Sequence, residues 1–285
     1  MAAEHAIWVV GDYRNYFQNR VTLQLLAKAR DLSAELGGPV CALVIGHEVE
    51  EWVGEYQAHG AERIYVLDHP QFKDYLPGLY ARALEIFARE HQPEIVLIGA
   101  TSFGKELAAR TASRLGTGLS GDCVDLFIDP EGRFVQVAPA FGGNLLAEIV
   151  MPKHRPQMVT VRPGVFQELP HDYEAQAEII RLEPPSGLAG DGVRLIKSQR
   201  MEYQGQDLEN ASVVVCGGRG LGSNKKFKQL HELARLMGGE VGATRPVVYA
   251  DWAAEECLVG QAGKHIKPRL LFSLGISGAI QHTAG

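Results

Sequence analysis

The stretch SVVVCGGRGLGSNKKFKQLHELARLMGGEVGAT, residues 212–244, decides the fold class of this chain. It begins with a run of β-branched residues and passes through a glycine-rich turn. Apolar residues at helical spacing follow, then a closing glycine pair and a second short strand. A strand, a helix and a strand in this order form a parallel pair joined by a crossover. The stretch therefore predicts a doubly wound α/β unit that binds its ligand at the carboxyl ends of the strands.

The first half of the chain repeats this alternation. Short apolar runs at 6–10, 39–45, 63–67 and 94–100 alternate with amphipathic segments at 21–36, 47–57 and 77–91. Strands that are apolar throughout are typical of a parallel sheet covered on both faces. From residue 116 to 150, strand-like runs separated by Gly and Pro favour antiparallel pairing. The predicted fold class is α/β, with two doubly wound parallel-sheet domains, the first carrying an added antiparallel stretch and the second Rossmann-like.

A change in the sequence pattern separates the two predicted domains. Residues 163–210 lack a strong period and contain the Pro/Gly-rich segment LEPPSGLAGDG, 182–192. A length of 285 residues also favours two domains over one. We therefore predict an N-terminal domain over 1–190, a linker over 191–208 and a second domain over 209–285.

Composition excludes several classes of function. The net charge of -6 argues against a nucleic-acid partner, which needs clustered Lys and Arg. The four cysteines form no CxxC pair and are expected to be reduced thiols. No apolar run approaches the roughly 20 residues that span a bilayer. The histidines form no HxH or HExxH pattern, and no Ser-His-Asp set or carboxylate pair stands out. These features predict a cytoplasmic or organelle-matrix protein without a metal site.

Three strand ends of the second domain carry candidate binding residues. After the run at 213–216, glycines around Arg219 either let backbone N–H groups approach an anion or simply form a tight turn. In GATRPVV, 242–248, Pro246 is expected to hold Arg245 extended and point its guanidinium toward the crevice, with a surface salt bridge as the alternative. The third, VGQAGKHIKP at 259–268, is by itself only a loop with two lysines.

The end of the chain, GISGAIQHTAG at 275–285, is the most informative of these segments. Gly275 and Gly278 bracket Ser277 at an expected helix start, where free N–H groups attract a phosphate. His282 would lie on the same helix face, although a histidine of the core is the alternative. A strand-to-helix unit that stops one turn into its helix also leads us to expect a longer chain. In this shortened form the second domain is expected to bind its ligand weakly, to be mobile about the 190–208 connector, or both.

These motifs together closely resemble the FAD domain of electron transfer flavoprotein α subunits. The first domain agrees with the same family at 98–122, 139–149 and 155–166, so the resemblance covers nearly the whole chain in order. It implies pairing with a smaller β subunit, in a heterodimer that carries electrons from acyl-CoA dehydrogenases or similar flavoenzymes. Some members of the family bifurcate electrons from NADH. The resemblance thus implies an electron carrier with one FAD rather than an enzyme with its own substrate.

The resemblance also implies roles for individual residues. Arg219 and Arg245 are expected to contact the flavin or its phosphates, and Thr244 sits beside the family's hydroxyl position. The remaining expected cofactor residues are Gln261, Ala262 and Gly263 along the flavin edge, Gly275, Ser277, Gly278 and Gln281 near the ribityl–pyrophosphate part, and His282 at the pyrimidine end. A cationic Arg and a His donor would favour the electron-holding form of the flavin.

The sequence departs from the family at two of these positions. Ala262 replaces a threonine whose hydroxyl can bond the flavin, and the usual Val-Asp-Ala-Gly-Trp reads Val248-Tyr249-Ala250-Asp251-Trp252. The segment that supplies Asn and Asp to the adenosine half is also missing from these residues. The electron donor and acceptor therefore stay open. The alternatives are a flavin-dependent reductase, a subunit of an NADH-using bifurcating complex, and a nucleotide-binding sensor without redox activity.

Overall fold

The computed structural model describes residues 5–14, 20–140, 145–185, 188, 192–197, 208, 209 and 211–285. Their contacts divide the chain into two compact units. Residues 1–139 and 146–198 belong to the first, and residues 140–145 and 199–285 to the second. Of the predicted linker, 191–208, only residues 192–197 and 208 are described, so most of that prediction lies outside the described residues.

The first unit is built on a seven-stranded sheet of order β10-β3-β2-β1-β4-β9-β5. Its strands are β1 (Ile7–Val10), β2 (Val40–Gly46), β3 (Arg63–Asp68), β4 (Ile95–Gly99), β5 (Leu119–Cys123), β9 (Gln157–Val161) and β10 (Glu178–Arg181). All neighbouring strands in this sheet run parallel. The helices are α1 (Val21–Leu36), α2 (Glu50–Ala58), α3 (Pro77–His91) and α4 (Ser102–Leu115).

Alternating side chains of each strand pack into two separate cores. In β1, Ile7 and Val9 join the core that contains α1 and α2, whereas Trp8 and Val10 join the core that contains α3 and α4. A sheet buried on both faces has no solvent-facing side, and this is why its strands read as continuous apolar runs. The predicted doubly wound architecture of this unit is therefore confirmed.

The antiparallel stretch is present but shorter than predicted. Strands β6 (Asp125–Ile128), β7 (Phe134–Ala140) and β8 (Leu145–Val150) form a separate three-stranded sheet, in which β6 and β7 are antiparallel. The prediction was wrong for Leu119–Cys123, which pairs in parallel with β9 in the large sheet. Its register shifts between Ser120 and Cys123, and Asp122 has a positive φ of 57°. Such a bulge breaks the period-2 pattern from which a strand's partner is predicted.

The second unit has a three-stranded parallel sheet of order β12-β11-β13. It consists of β11 (Val213–Gly217), β12 (Glu240–Ala243) and β13 (Leu270–Leu274), with helices α5 (Asn224–Met237), α6 (Arg245–Val248) and α7 (Ile280–Thr283). On one face, Val215 packs with Phe227, Leu230 and Ala234 of α5, at the three- and four-residue spacing of an amphipathic helix. On the other face, Val214 and Cys216 pack with Leu208 and Val259. The strand–helix–strand prediction for 212–244 is confirmed.

Among the described residues, none of the helices combines the length and apolar character that crossing a bilayer requires.

Candidate functional site

The candidate site lies at the carboxyl edge of the small sheet. Central strand β11 leads through α5 to β12 on one side, while β13 pairs with its other side. The direction of winding therefore reverses beside β11, and a doubly wound sheet offers a ligand crevice at that point. The segments after β11, β12 and β13 all leave the sheet at this edge. They bring together Arg219, Thr244 with Arg245, and Gly275 to His282, which the sequence predicted for one site.

The glycine turn after β11 supports the neighbouring turn instead of an anion. The N–H groups of Gly218 and Gly220 donate to the carbonyl oxygens of Leu274 and Gly275, at 2.8 and 2.9 Å. A Cβ at Gly218 would lie 2.2 Å from the carbonyl oxygen of Gly275. Of the two alternatives for this motif, the structure shows the tight turn. This turn holds the start of the 275–285 segment against the end of β11.

The segment after β13 presents unused backbone donors. Gly275 and Gly278 adopt positive φ angles of 66° and 74°, which turn the chain away from the strand direction. Between β13 and α7, the N–H groups of residues 276–279 donate to no acceptor among the described residues. Consecutive free N–H groups form an anion-binding concavity. The helix begins only at Ile280, so the expected helix start at Gly275–Gly278 was wrong, and the donors belong to a loop.

Arg245 differs from its predicted conformation. It is the first residue of α6, and the extended residue is the preceding Thr244, with φ -81° and ψ 157°. Pro246 is tolerated in the first turn because its missing N–H would have no intrahelical partner there. Pro246 therefore starts a short helix rather than extending Arg245. The Arg245 side chain is exposed, and its Nη1 donates to the Tyr249 hydroxyl at 3.0 Å.

The loop 258–264 is held against α7. The N–H of Gln261 donates to the carbonyl oxygen of Gln281 at 2.7 Å, and Val259 pairs with Lys264 to close the loop. Ala262 is exposed at the tip of this turn, and the N–H of Gly263 donates to the carbonyl oxygen of Gly260. The structure thus brings the two glutamines together, although they lie 20 positions apart in the sequence.

Many polar side chains at this edge have unused hydrogen-bonding capacity. Five of these side chains form no hydrogen bond or ion pair with any other described residue. They are those of Arg219, Thr244, Gln261, Ser277 and Gln281. Thr244 is nevertheless buried, at 8% exposure. Donors and acceptors that converge without internal partners are the feature expected of a binding site.

His282 has a defined orientation. Its Nδ1 lies 3.2 Å from the carbonyl oxygen of Val259. A carbonyl can only accept, so this contact places a proton on Nδ1. Nε2 is then an acceptor in the neutral ring and becomes a donor only when the ring is protonated. The donor role that the resemblance implies for His282 therefore requires the imidazolium form.

The thiols near the site are not activated. Burial raises the pKa of the Cys216 thiol to about 12, and burial also raises the pKa of Cys257. A nucleophilic cysteine needs the opposite shift, toward the thiolate. Neither Cys216 nor Cys257 therefore has the lowered pKa that a nucleophilic cysteine needs.

Comparison with known proteins decides the family. Residues 7–186 match the model of the electron transfer flavoprotein domain, and residues 207–285 match the electron transfer flavoprotein FAD-binding domain. The chain belongs to the electron transfer flavoprotein α subunit family. FAD is its cofactor, and the FAD-binding family model covers the unit that contains the candidate site.

Similar proteins agree over nearly the whole chain. The electron transfer flavoprotein subunit alpha of Thermoanaerobacterium thermosaccharolyticum is 41% identical over 98% of this chain and 84% of the relative. The subunit of the same name from Megasphaera elsdenii is 38% identical, over 100% and 85%. The lactate dehydrogenase (NAD(+),ferredoxin) subunit LctC of Acetobacterium woodii is 37% identical, over 93% and 63%.

The residues of this electron transfer flavoprotein subunit fit FAD. The free N–H groups of 276–279 suit a pyrophosphate, and the unpartnered hydroxyl and amide side chains suit the polar edge of a flavin and its ribityl chain. Two contacts were not predicted from the sequence. One is the carbonyl of Val259 that orients His282, and the other is the Tyr249 hydroxyl that bonds Arg245. Tyr249 stood out in the sequence only as a departure from the family motif.

Proposed function

We propose that this chain is the FAD-carrying subunit of a heterodimeric electron carrier. It takes electrons from flavin dehydrogenases of the acyl-CoA dehydrogenase type and passes them to a downstream acceptor, and it has no substrate of its own. The supporting observation is the convergence of unpartnered polar groups at the carboxyl edge of β11, β12 and β13. The location proposed for this carrier is the cytoplasm, as predicted from the sequence.

When bound, FAD supplies the chemistry, because its ring accepts and releases electrons. The protein supplies charge and hydrogen bonds. Arg245 contributes a positive charge that no acidic side chain among the described residues neutralises. His282 contributes a donor at Nε2 when protonated, and the largely buried Thr244 contributes a hydroxyl without a partner among the described residues. The backbone of 276–279 holds the pyrophosphate, and Arg219, Gln261, Gly263, Ser277 and Gln281 hold the rest of the cofactor.

The charge of Arg245 gives the sharpest test of this function. A charge-assisted hydrogen bond contributes about 1.5–3 kcal/mol. For a one-electron couple that corresponds to roughly 60–130 mV. We expect Arg245→Ala, in the FAD-loaded complex with the β subunit, to lower the first-electron potential by this amount, because the added negative charge loses its partner.

Arg269 offers a matched control for this measurement. It is an exposed arginine of the same unit, but it precedes β13 and therefore lies at the opposite edge of the sheet. Arg269→Ala should leave the first-electron potential of the FAD unchanged within the error of the measurement. An unchanged potential in Arg245→Ala, with FAD still bound, would show that Arg245 does not contact the flavin.

Flavin content separates the carrier from a sensor without redox activity. The complex purified after co-expression with the β subunit should be yellow, with one FAD at the second unit and reversible reduction. A crystal structure of that complex with this FAD in residues 1–190 would contradict the assignment. Colourless protein, even with its partner, would favour the sensor.

The first unit is proposed to form the β-subunit interface. Strand β8 is an edge of the small antiparallel sheet and exposes apolar side chains, with Leu146 64% and Val150 41% exposed. Exposed strand edges and apolar side chains are suited to pairing with another chain. If the β subunit covered this strand, both the strand edge and its apolar side chains would be removed from water.

A second candidate is a subunit of an electron-bifurcating complex that uses NADH. The similarity to LctC supports it, since the name of that relative includes NAD(+) and ferredoxin. The two functions differ in what reduces the complex. Reduction by NADH that proceeds only when a low-potential and a high-potential acceptor are both present would favour bifurcation. Reduction by an acyl-CoA dehydrogenase and its substrate alone would favour the simple carrier.

A further inference from the structure

Arg245 and Tyr249 form a side-chain pair at the flavin-binding edge. Arg245 begins α6 and Tyr249 caps it, so the two residues are one helical turn apart. The Arg245 Nη1 donates to the Tyr249 hydroxyl at 3.0 Å, and the guanidinium carbon lies 5.7 Å from the centre of the ring. The backbone joins them as well, because the N–H of Tyr249 donates to the carbonyl oxygen of Arg245 at 2.9 Å.

This pair contributes little to the stability of the fold. Tyr249 is 74% exposed, and Arg245 is exposed too. Exposed pairs three or four residues apart contribute only a few tenths of a kcal/mol, and Tyr249 fills no core. The Tyr249 side chain is therefore not required for the packing of the second unit.

The chemistry of the partner distinguishes this pair from a salt bridge. A carboxylate beside Arg245 would bind the guanidinium but offset its charge, whereas a neutral hydroxyl only accepts a hydrogen bond. The ring adds a cation–π contact and restricts the rotamers of a long, flexible side chain. The result is an arginine that is oriented and still carries its full positive charge. Its remaining N–H donors have no acceptor among the described residues and are available to a ligand.

We propose that Tyr249 is a positioning residue for Arg245. It holds the guanidinium in one orientation without neutralising it, so that the positive charge of Arg245 acts on the bound FAD. This inference rests on the proposed function, in which Arg245 contacts FAD. It makes Tyr249 a determinant of the flavin potential although Tyr249 itself need not touch the cofactor.

The test compares Tyr249→Phe and Tyr249→Asp in the FAD-loaded complex with the β subunit, with the potential of the FAD as the readout. Tyr249→Phe keeps the ring but loses the hydrogen-bond acceptor. It should therefore shift the equilibrium constant for one-electron reduction of the bound FAD by about threefold toward the oxidised flavin. Tyr249→Asp introduces a neutralising charge and should shift that constant by about tenfold in the same direction, which is about 59 mV. Tyr173, which is 89% exposed in the first unit, supplies the control Tyr173→Phe, with no shift expected.

Arg245→Ala, measured in parallel, separates this inference from the proposed function. If Arg245→Ala lowers the potential but neither Tyr249 variant does, the positioning role is wrong and the proposed function stands. If Tyr249→Asp lowers the potential as much in an Arg245→Ala background as alone, Tyr249 acts independently of Arg245, and the proposal is likewise overturned. Loss of FAD in Tyr249→Asp would leave the decision to Tyr249→Phe, which introduces no charge.

Discussion

Gly218→Ala tests whether the glycine turn after β11 serves packing or direct approach to the cofactor. An added Cβ would lie 2.2 Å from the carbonyl oxygen of Gly275 and 2.8 Å from Cγ1 of Ile276. An ordinary contact needs at least 3.4 Å, so the turn at Gly275 must move by about an ångström. It has little room to do so, because the Gly275 carbonyl accepts from the N–H of Gly220 and a Cβ at Gly275 would lie only 2.6 Å from the backbone nitrogen of Leu221.

The expected cost combines two contributions. Overpacking of this kind costs about 1–3 kcal/mol, and the strained or broken hydrogen bond from Gly220 adds about 1 kcal/mol. We therefore expect Gly218→Ala to destabilise the second unit by about 2–4 kcal/mol. FAD affinity should fall with it, since the free N–H groups of 276–279 follow directly after the displaced turn.

Hydrogen exchange measured by mass spectrometry can resolve the effect by region. The amides of β11 and β13 should exchange faster in Gly218→Ala, even without FAD. Gly54 in α2 supplies the control, because a Cβ there meets nothing within 4 Å. Gly54→Ala should stabilise the first unit by about 0.5–1 kcal/mol. If Gly218→Ala left the protection of β13 unchanged and still weakened FAD binding, the glycine would serve the ligand directly and the packing argument would be refuted.

Three further predictions concern the flavin loop, the partner interface and pH. Ala262→Thr should add a hydrogen bond to the flavin worth about 1 kcal/mol and shift the one-electron potential by roughly 40 mV; a shift near zero would mean that another group already bonds the flavin. Adding the β subunit should protect residues 116–150 from hydrogen exchange, whereas protection confined to the second unit would contradict the proposed interface. Burial raises the pKa of Cys216 from 9.0 to about 12, so the folded thiol stays protonated where the unfolded one ionises. The stability of the second unit should therefore be unaffected by this group below pH 9 and fall between pH 9 and 12, by at most about 1.4 kcal/mol per pH unit. Urea titrations of the native protein and Cys216→Ala should show the shallower pH dependence in the variant, and equal slopes would be inconsistent with this shift.

Sequence motifs and folded geometry define different parts of the candidate site. The glycine-flanked motifs at 242–248, 259–268 and 275–285 are sufficient to indicate the family and FAD, since each motif is long and they occur in the right order. The family comparison confirms both. The atomic roles of individual residues are not accessible in this way, because hydrogen-bond partners such as Val259 for His282 come from other loops.

The sequence by itself determined helices α1, α2, α3 and α5 and most of the strands, whereas α4 was not predicted and the start of α6 was predicted as extended chain. The bounds predicted for α1 and α3, 21–36 and 77–91, are those of the structure, because their apolar period is strong and local. The order of the strands was decided only by the tertiary structure. Strand β9 enters between β4 and β5, and β10 adds to the edge at β3, although neither stood out as a strand in the sequence. Pairing depends on partners that are distant in sequence, whereas periodicity reports only which faces of an element are buried. The same reason explains why Arg245 and Tyr249 could be named as unusual residues, while the hydrogen bond between their side chains required the folded helix.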